Sequence, residues 1–213
     1  MLRTTGIASG YPVLDDPEGW GRLDLAAAAD GYRAFTGDVV VTMDASLGGY
    51  HAADHWRNDI TGTGKLTKRG SGALTLGGAS SYSGGTQLDA GALVAASTTA
   101  LGSGDVYAGG GTLVSDAPGP LAIGGSYAQV AGATLELDLG AAGRGRLAVE
   151  GAATLAGGAL HVRFADDAAP SPGDTLLVIS SKLRTGHFDS VTADGFTATA
   201  IYTDTGVALR LDK

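Results

Sequence analysis

The chain of 213 residues contains no cysteine. That excludes disulfides, thiolate metal sites and a cysteine nucleophile. It also fits export through an envelope in which premature disulfides would obstruct passage. Positive charge is scarce: 14 Lys and Arg stand against 22 Asp and Glu, for a net charge of −8. Nucleic acid is therefore not an expected partner, because phosphate binding calls for a basic patch. The one compact basic group, Lys65, Lys68 and Arg69, reads as a solvated turn. Long apolar runs are also missing. No segment approaches the ~20 apolar residues of a membrane helix. Met1-Leu2-Arg3-Thr4-Thr5-Gly6 has no apolar core of a signal peptide. No train of long alternating strands leads to Arg210-Leu211-Asp212-Lys213, so no complete outer-membrane barrel is expected within the chain. The first residues read like the middle of a domain, and the expectation is a fragment of a larger protein.

Glycine is abundant instead, at 36 residues, and only 6 residues are proline while 44% are hydrophobic. A disordered glycine-rich chain would carry fewer Val, Leu and Ile. Many tight turns in a folded chain explain the composition better. An Ala/Thr-Leu step recurs at Leu74, Leu93, Leu113, Leu135, Leu155 and Leu176, spaced by 19, 20, 22, 20 and 21 residues. Such a fixed period marks a solenoid in which each unit covers its neighbour's apolar face. In Thr134-Leu135-Glu136-Leu137-Asp138-Leu139 the alternation places the leucines inside and the carboxylates outside. The expected fold class is all-β: a right-handed parallel β-helix with rungs of about 20 residues, a short N-terminal helix and a C-terminal β cap.

Three regions follow. Residues 1–36 read as the remnant of an upstream domain, with Asp24 as N-cap and Gly31 as stop of a short Ala-rich helix. Residues 37–165 form the β-helix, with Asp38–Asp44 as a strand, 47–59 as a loop and 62–96 as its best-marked stretch. Residues 166–213 form the cap, in which 196–202 and 207–211 make a hairpin. A solenoid leaves an apolar open end that a terminal cap must close.

No chemical constellation outweighs its structural reading. His51-x3-His55 with Asp54 and Asp59 lies in a glycine-bounded loop, without the glutamate of a zinc-protease helix. His187 and Asp189 lack a nucleophile elbow, and Gly102-Ser103-Gly104 reads as a turn. The carboxylate pairs Asp15-Asp16, Glu136/Asp138 and Asp166-Asp167 could serve glycoside cleavage across a groove, but solvation of an exposed face explains them. Gly143-Arg144-Gly145-Arg146 lacks the strand–loop–helix unit of a phosphate cradle. Tyr11, Trp20, Tyr32, Tyr50 and Trp56 cluster near the start and are expected to pack on an upstream domain. No catalytic, cofactor-binding or metal residue is assigned, and no small-molecule ligand is expected.

The stretch Gly62-Thr63-Gly64-Lys65-Leu66-Thr67-Lys68-Arg69-Gly70-Ser71-Gly72-Ala73-Leu74-Thr75-Leu76, with Tyr82-Ser83-Gly84-Gly85-Thr86 and Gly91-Ala92-Leu93, resembles the passenger-associated transport repeat of bacterial autotransporters. Ser80-Ser81 departs from the family's usual Asn before the Tyr. The tail, Gly173-Asp174-Thr175-Leu176-Leu177-Val178-Ile179 with Gly186-His187-Phe188, looks like the distal end of such passengers. The head, Gly10–Leu25, looks like the end of a catalytic domain preceding the repeats. It resembles that of an exported acid phosphatase of the phosphatidic-acid phosphatase and vanadium haloperoxidase superfamily or, alternatively, of a subtilisin-like autotransporter protease. The signature motifs of both enzyme families are absent, so no catalytic residue is carried over. The resemblance implies a non-catalytic passenger or stalk that aids secretion and folding, located at the bacterial surface or secreted. Its implied partners are an upstream catalytic domain or an outer-membrane translocator.

Overall fold

The structure, a computed structural model, describes residues 28–212 and the backbones of Gly6–Ile7 and Arg22–Leu23, which pair antiparallel. Residues 28–29 end a helical turn, and Gly31 leaves it at a φ of 94°. The expected start of that helix at Asp24 lies outside the described residues.

Two long sheets carry the fold, each of seven parallel strands. Sheet one stacks Ala53–Trp56, Ala73–Leu76, Ala92–Ala95, Gly111–Ser115, Ala133–Leu139, Ala159–Phe164 and Ser190–Ala193. Sheet two stacks Val39–Thr42, Leu66–Arg69, Thr86–Leu88, Val106–Ala108, Tyr127–Val130, Ala152–Ala156 and Leu183–His187. The chain alternates between them, so every strand pairs with the strands one circuit before and after it. Each sheet one strand follows a sheet two strand after a short corner. The first circuit alone departs from this, with residues 43–52 between Thr42 and Ala53.

The leucine column explains the pairing. Leu74, Leu93, Leu113, Leu135 and Leu160 stand in register on sheet one, all buried. Alternation puts Leu76, Ala95, Ser115, Leu137 and Val162 beside them on the same inward face. Identical or similar apolar side chains stacked along one axis fill a continuous core and leave little choice of register.

The column corrects the simple period. Leu155 and Leu176 do not belong to it. Leu155 sits on sheet two, level with Gln129, and Leu176 pairs with Leu209 on a third sheet. The true successor of Leu135 is Leu160, and that of Leu160 is Val191. The circuit lengthens because its return path acquires strands of its own. Leu121–Ile123, Leu147–Val149 and Thr175–Ser180 pair in parallel as a third sheet.

The parallel ladders run on past residue 165, to Leu183–His187 and Ser190–Ala193. The compositional change at 166 is thus no change in pairing. Antiparallel pairing begins with the hairpin Ala198–Thr203 and Gly206–Leu211, whose second strand lies on Thr175–Ser180. The segment expected as a loop at 47–59 also holds order. It contains a single α-turn, Gly49–Ala52, and then the first strand of sheet one.

Candidate functional site

The transport-repeat stretch builds one corner of the coil. In strand Leu66–Arg69 alternation points Leu66 and Lys68 inward together, and both are fully buried. This overturns the reading of Lys65, Lys68 and Arg69 as a solvated turn. Lys68 Nζ donates to the carbonyl oxygens of Arg69, at 2.9 Å, and of Gly70, at 3.2 Å, in its own corner. It also donates to Ala90 O in the corner one circuit later, at 3.3 Å. Burial pushes its ammonium below the usual lysine range. The ammonium is a plug: its hydrogen bonds satisfy carbonyls that turn inward where the chain passes from sheet two to sheet one. Arg69 and Lys65 do face outward. Arg69 pairs with Asp89 at 2.8 Å, and this guanidinium, followed by the Gln87 amide, holds the Asp89 carboxyl below its ordinary value.

The same column carries a second plug. Lys68, Leu88, Ala108 and Gln129 are successive neighbours on sheet two. Gln129 is fully buried, and its Nε2 donates to Ala133 O and Ala159 O, both at 3.0 Å. It therefore spans its own corner and the next, as Lys68 does. Its Oε1 accepts from the buried Tyr127 hydroxyl at 2.7 Å. In the repeat, the buried Tyr82 hydroxyl lies 2.6 Å from Thr86 Oγ1, which donates to Leu101 O at 3.2 Å. Burial raises both phenols above their ordinary value.

The outward face of sheet one carries the densest charge cluster. Glu136 and His161 are cross-strand partners. His161 Nε2 lies 2.9 Å from Asp194 Oδ1 and its Nδ1 lies 3.4 Å from Glu136 Oε2. Arg163 reaches the other oxygen of Glu136 at 3.0 Å. Asp138 is held by Arg144, which also binds Asp116. Glu136 and Asp138 thus face outward as alternation predicts, but each is occupied by a cation; the expected pair Asp166-Asp167 lines a groove together with Asp138 and Arg144.

The remaining sequence candidates are dispersed. His51 lies on the α-turn and His55 on the first strand of sheet one, while Asp59 staples two circuits through Ala79 N at 2.7 Å. His187 lies against the Tyr202 ring, whereas Asp189 accepts from Gly158 N at 2.7 Å. Ser103 sits in a turn, near Tyr82 O at 3.5 Å. Tyr32 and Trp56 pack within this chain: their rings meet at 5.2 Å, and Trp56 is buried in the core with Phe35. Tyr50 is exposed; Tyr11, Trp20 and Asp15-Asp16 lie outside the described residues. A cleft of about 450 Å³ opens beside Leu139, Arg146, Phe164, Asp167 and Leu176. Among the described residues, no group of three or more His, Asp or Glu is placed to hold a metal ion.

At the far end of the coil the last strand of sheet two is closed by the hairpin. Arg184 N donates to Asp204 O at 2.6 Å and Phe188 N to the Tyr202 hydroxyl at 3.1 Å. The Arg184 guanidinium donates to Thr203 O and to Gly186 O, and stacks 5.2 Å from the Tyr202 ring centre. Backbone groups that an incoming strand would use are thereby occupied.

Sequence reasoning missed both plugs, although the two-residue alternation from Leu66 to Lys68 already put the ammonium inside. The Glu136–His161–Asp194 contact had no local signal, because its members come from three circuits.

Residues 66–95 match the family model described as passenger-associated-transport-repeat. The chain is 35% identical over 102 residues to the Neisserial autotransporter lipoprotein NalP of Neisseria meningitidis, covering 44% of this chain and 9% of that protein. It is 33% identical over 132 residues to the adhesin BmaC autotransporter of Brucella suis, covering 52% of this chain and 4% of that protein. An extracellular serine protease of Serratia marcescens is 27% identical over 124 residues, covering 44% of this chain and 12% of the protease. The chain thus spans about an eighth or less of the length of these relatives. Repeat and relatives together support an autotransporter passenger segment, built of parallel β-sheets, in a protein exported to the surface or beyond.

Proposed function

We propose that this chain is a non-catalytic stalk: a short right-handed parallel β-helix, from about residue 39 to residue 193, closed by the hairpin Ala198–Leu211. It aids secretion and folding of the passenger to which it belongs. The observation that carries this reading is the unbroken parallel register of two sheets through seven strands each, with the transport repeat inside it. The right hand follows the general preference of parallel crossovers. A coil of this kind buries apolar surface only against the next circuit, so each circuit folds on a completed neighbour. The hairpin gives the last circuits a surface on which to form. Outside, the chain is then held at the cell surface or released, with an outer-membrane translocator and an upstream passenger domain as its partners.

The likeness of residues 10–25 to the end of an exported acid phosphatase domain lies mostly outside the described residues, and no phosphatase is among the relatives named above. The likeness to the extracellular serine protease of Serratia favours the alternative, a serine protease upstream. The reading frame upstream of Met1 decides between them by its Lys, Arg and His motifs or its subtilase triad.

The stalk itself is tested by export. Fused ahead of an autotransporter translocator in a bacterial outer membrane, the full chain is expected to reach the surface in a protease-resistant form. Removal of residues 198–211 is expected to leave it protease-sensitive or stalled. Equal surface yield and resistance without the hairpin would overturn the folding role. Reproducible hydrolysis of a generic phosphate ester or peptide by the isolated chain would overturn the non-catalytic reading.

A further inference from the structure

The outer face of sheet one holds an imidazole between two carboxylates, on three successive circuits. Glu136 comes from Ala133–Leu139, His161 from Ala159–Phe164, and Asp194 from the residue that follows Ser190–Ala193. Asp194 also opens the link to the closing hairpin, and Phe196, two residues on, packs against Phe164 at 5.6 Å. The contact therefore joins the coil to the start of its cap.

A neutral imidazole has one N–H and one bare nitrogen. Here both nitrogens face carboxylate oxygens, at 2.9 Å and 3.4 Å. Only the imidazolium can donate to both; in the neutral form one nitrogen lone pair confronts a carboxylate. The charges around it point the same way. Glu136 and Asp194 face His161 from the neighbouring circuits, and Arg163, two residues along the same strand, binds the other Glu136 oxygen. Thr192, the cross-strand neighbour on the last circuit, is uncharged. Two carboxylates and one guanidinium leave one negative charge, which the imidazolium cancels. Asp138 does not enter the balance, since Arg144 holds it.

We propose that Glu136, His161 and Asp194 form an acid-set clasp that fastens the cap to the coil when His161 is protonated and loosens it when the proton leaves. The hydrogen bond to Asp194, followed by that to Glu136, raises the His161 pKa above its ordinary value of 6.5 against the opposing effect of burial. A group with a raised folded pKa contributes its full stabilisation below the unfolded value. That contribution is lost as pH climbs through the folded value. The clasp is thus closed in mild acid and opens as pH climbs past a midpoint raised above 6.5.

Amide hydrogen exchange of the full chain tests this, with rates corrected for intrinsic pH dependence. Between about pH 5.5 and about pH 8, protection of residues 190–203 is expected to fall roughly two- to fivefold, the range for a partly exposed ion pair. Protection of the transport repeat should not change with it. His161→Gln should remove the pH dependence, and Asp194→Asn should reduce it. A second readout is the imidazole titration seen by NMR. Its midpoint should lie above 6.5 in the wild type and fall in Asp194→Asn. The clasp is overturned by an unchanged pH dependence in His161→Gln, by equal protection at both pH values, or by a wild-type midpoint at or below 6.5.

Discussion

The transport-repeat circuits and the last circuits solve the same packing problem with different means. From Leu74 to Leu113 the sheet one column advances by 19 and 20 residues per circuit, with glycine-lined corners and no strand on the return path. From Leu135 to Val191 it advances by 25 and 31, and the return path becomes a sheet of its own. The narrow circuits are held at the corner by a buried ammonium, the wide ones by a buried amide in the same column. Close approach of backbones makes corners in both parts intolerant of added atoms: a Cβ at Gly91 would lie 2.3 Å from Gly70 O, and one at Gly158 would lie 2.4 Å from Ala133 O. The wide part takes its order from strand pairing and outward charge contacts. Recognisable sequence concentrates in the narrow part, in the stretch that matches the family model.

A pair of glycines makes the difference between a faced and an open corner measurable. Gly91 has a φ of 72°, and a Cβ there would overlap the carbonyl oxygens of Gly70 and Gly72 and lie 2.9 Å from Lys68 Nζ. Gly132, in the corner just before Ala133–Leu139, has a φ of 94° and open space around the same position. Gly91→Ala should cost at least about 3 kcal/mol, by adding backbone and plug displacement to conformational strain. Gly132→Ala should cost only about 1–2 kcal/mol, the strain alone. Urea unfolding of both variants checks the difference, and equal losses would erase the distinction between the two kinds of corner.

The plugs come next in size. Lys68→Met keeps the volume of the stem but removes the ammonium donor from the Gly70 and Ala90 carbonyls, while Arg69 O keeps the Met43 N–H, at about 1–3 kcal/mol. Lys68→Gln should recover part of that loss, because Gln129 already fills the column's other corner with an amide. Thermal or urea unfolding should rank the chains wild type, Lys68→Gln, Lys68→Met. A Met variant as stable as the wild type would show that desolvating the ammonium cancels its hydrogen bonds. Tyr82→Phe is smaller again, about 1 kcal/mol, since it removes one buried contact with Thr86 and leaves the ring in place.

How legible the molecule is follows the same division. The strands, the near-twenty-residue period and the outward placement of Glu136 and Asp138 are written in local alternation, and the fold repeats them circuit after circuit. The period misleads at Leu155 and Leu176, because a third sheet supplies leucines at plausible spacing on other faces. Trp56 and Tyr32 are expected from sequence to pack on an upstream domain, yet the coil begins early enough to bury Trp56 in its own core. Contacts such as Glu136–His161–Asp194 depend on circuit lengths of 25 and 31, which no local pattern announces.

The smallest effect on stability belongs to Arg184, and it concerns the end of the coil. Its guanidinium is on the surface, so Arg184→Ala should cost only about 0–1 kcal/mol. What it removes is a cover. Gly186 O loses the donor that occupies it, and the Tyr202 ring loses its cation partner. Leu183, on the same edge strand, is 53% exposed. An uncovered strand edge beside an exposed leucine is a template for pairing with another chain. The expected outcome is therefore a chain that unfolds almost where the wild type does but associates more readily on concentration, read by light scattering or sedimentation. The narrow circuits offer the control: Arg69→Ala breaks a surface pair with Asp89 in mid-sheet, where both backbone edges are already paired. It should match Arg184→Ala in stability and associate no more than the wild type. If both variants associate equally, lost surface charge is the cause and the hairpin's role as an edge cover falls.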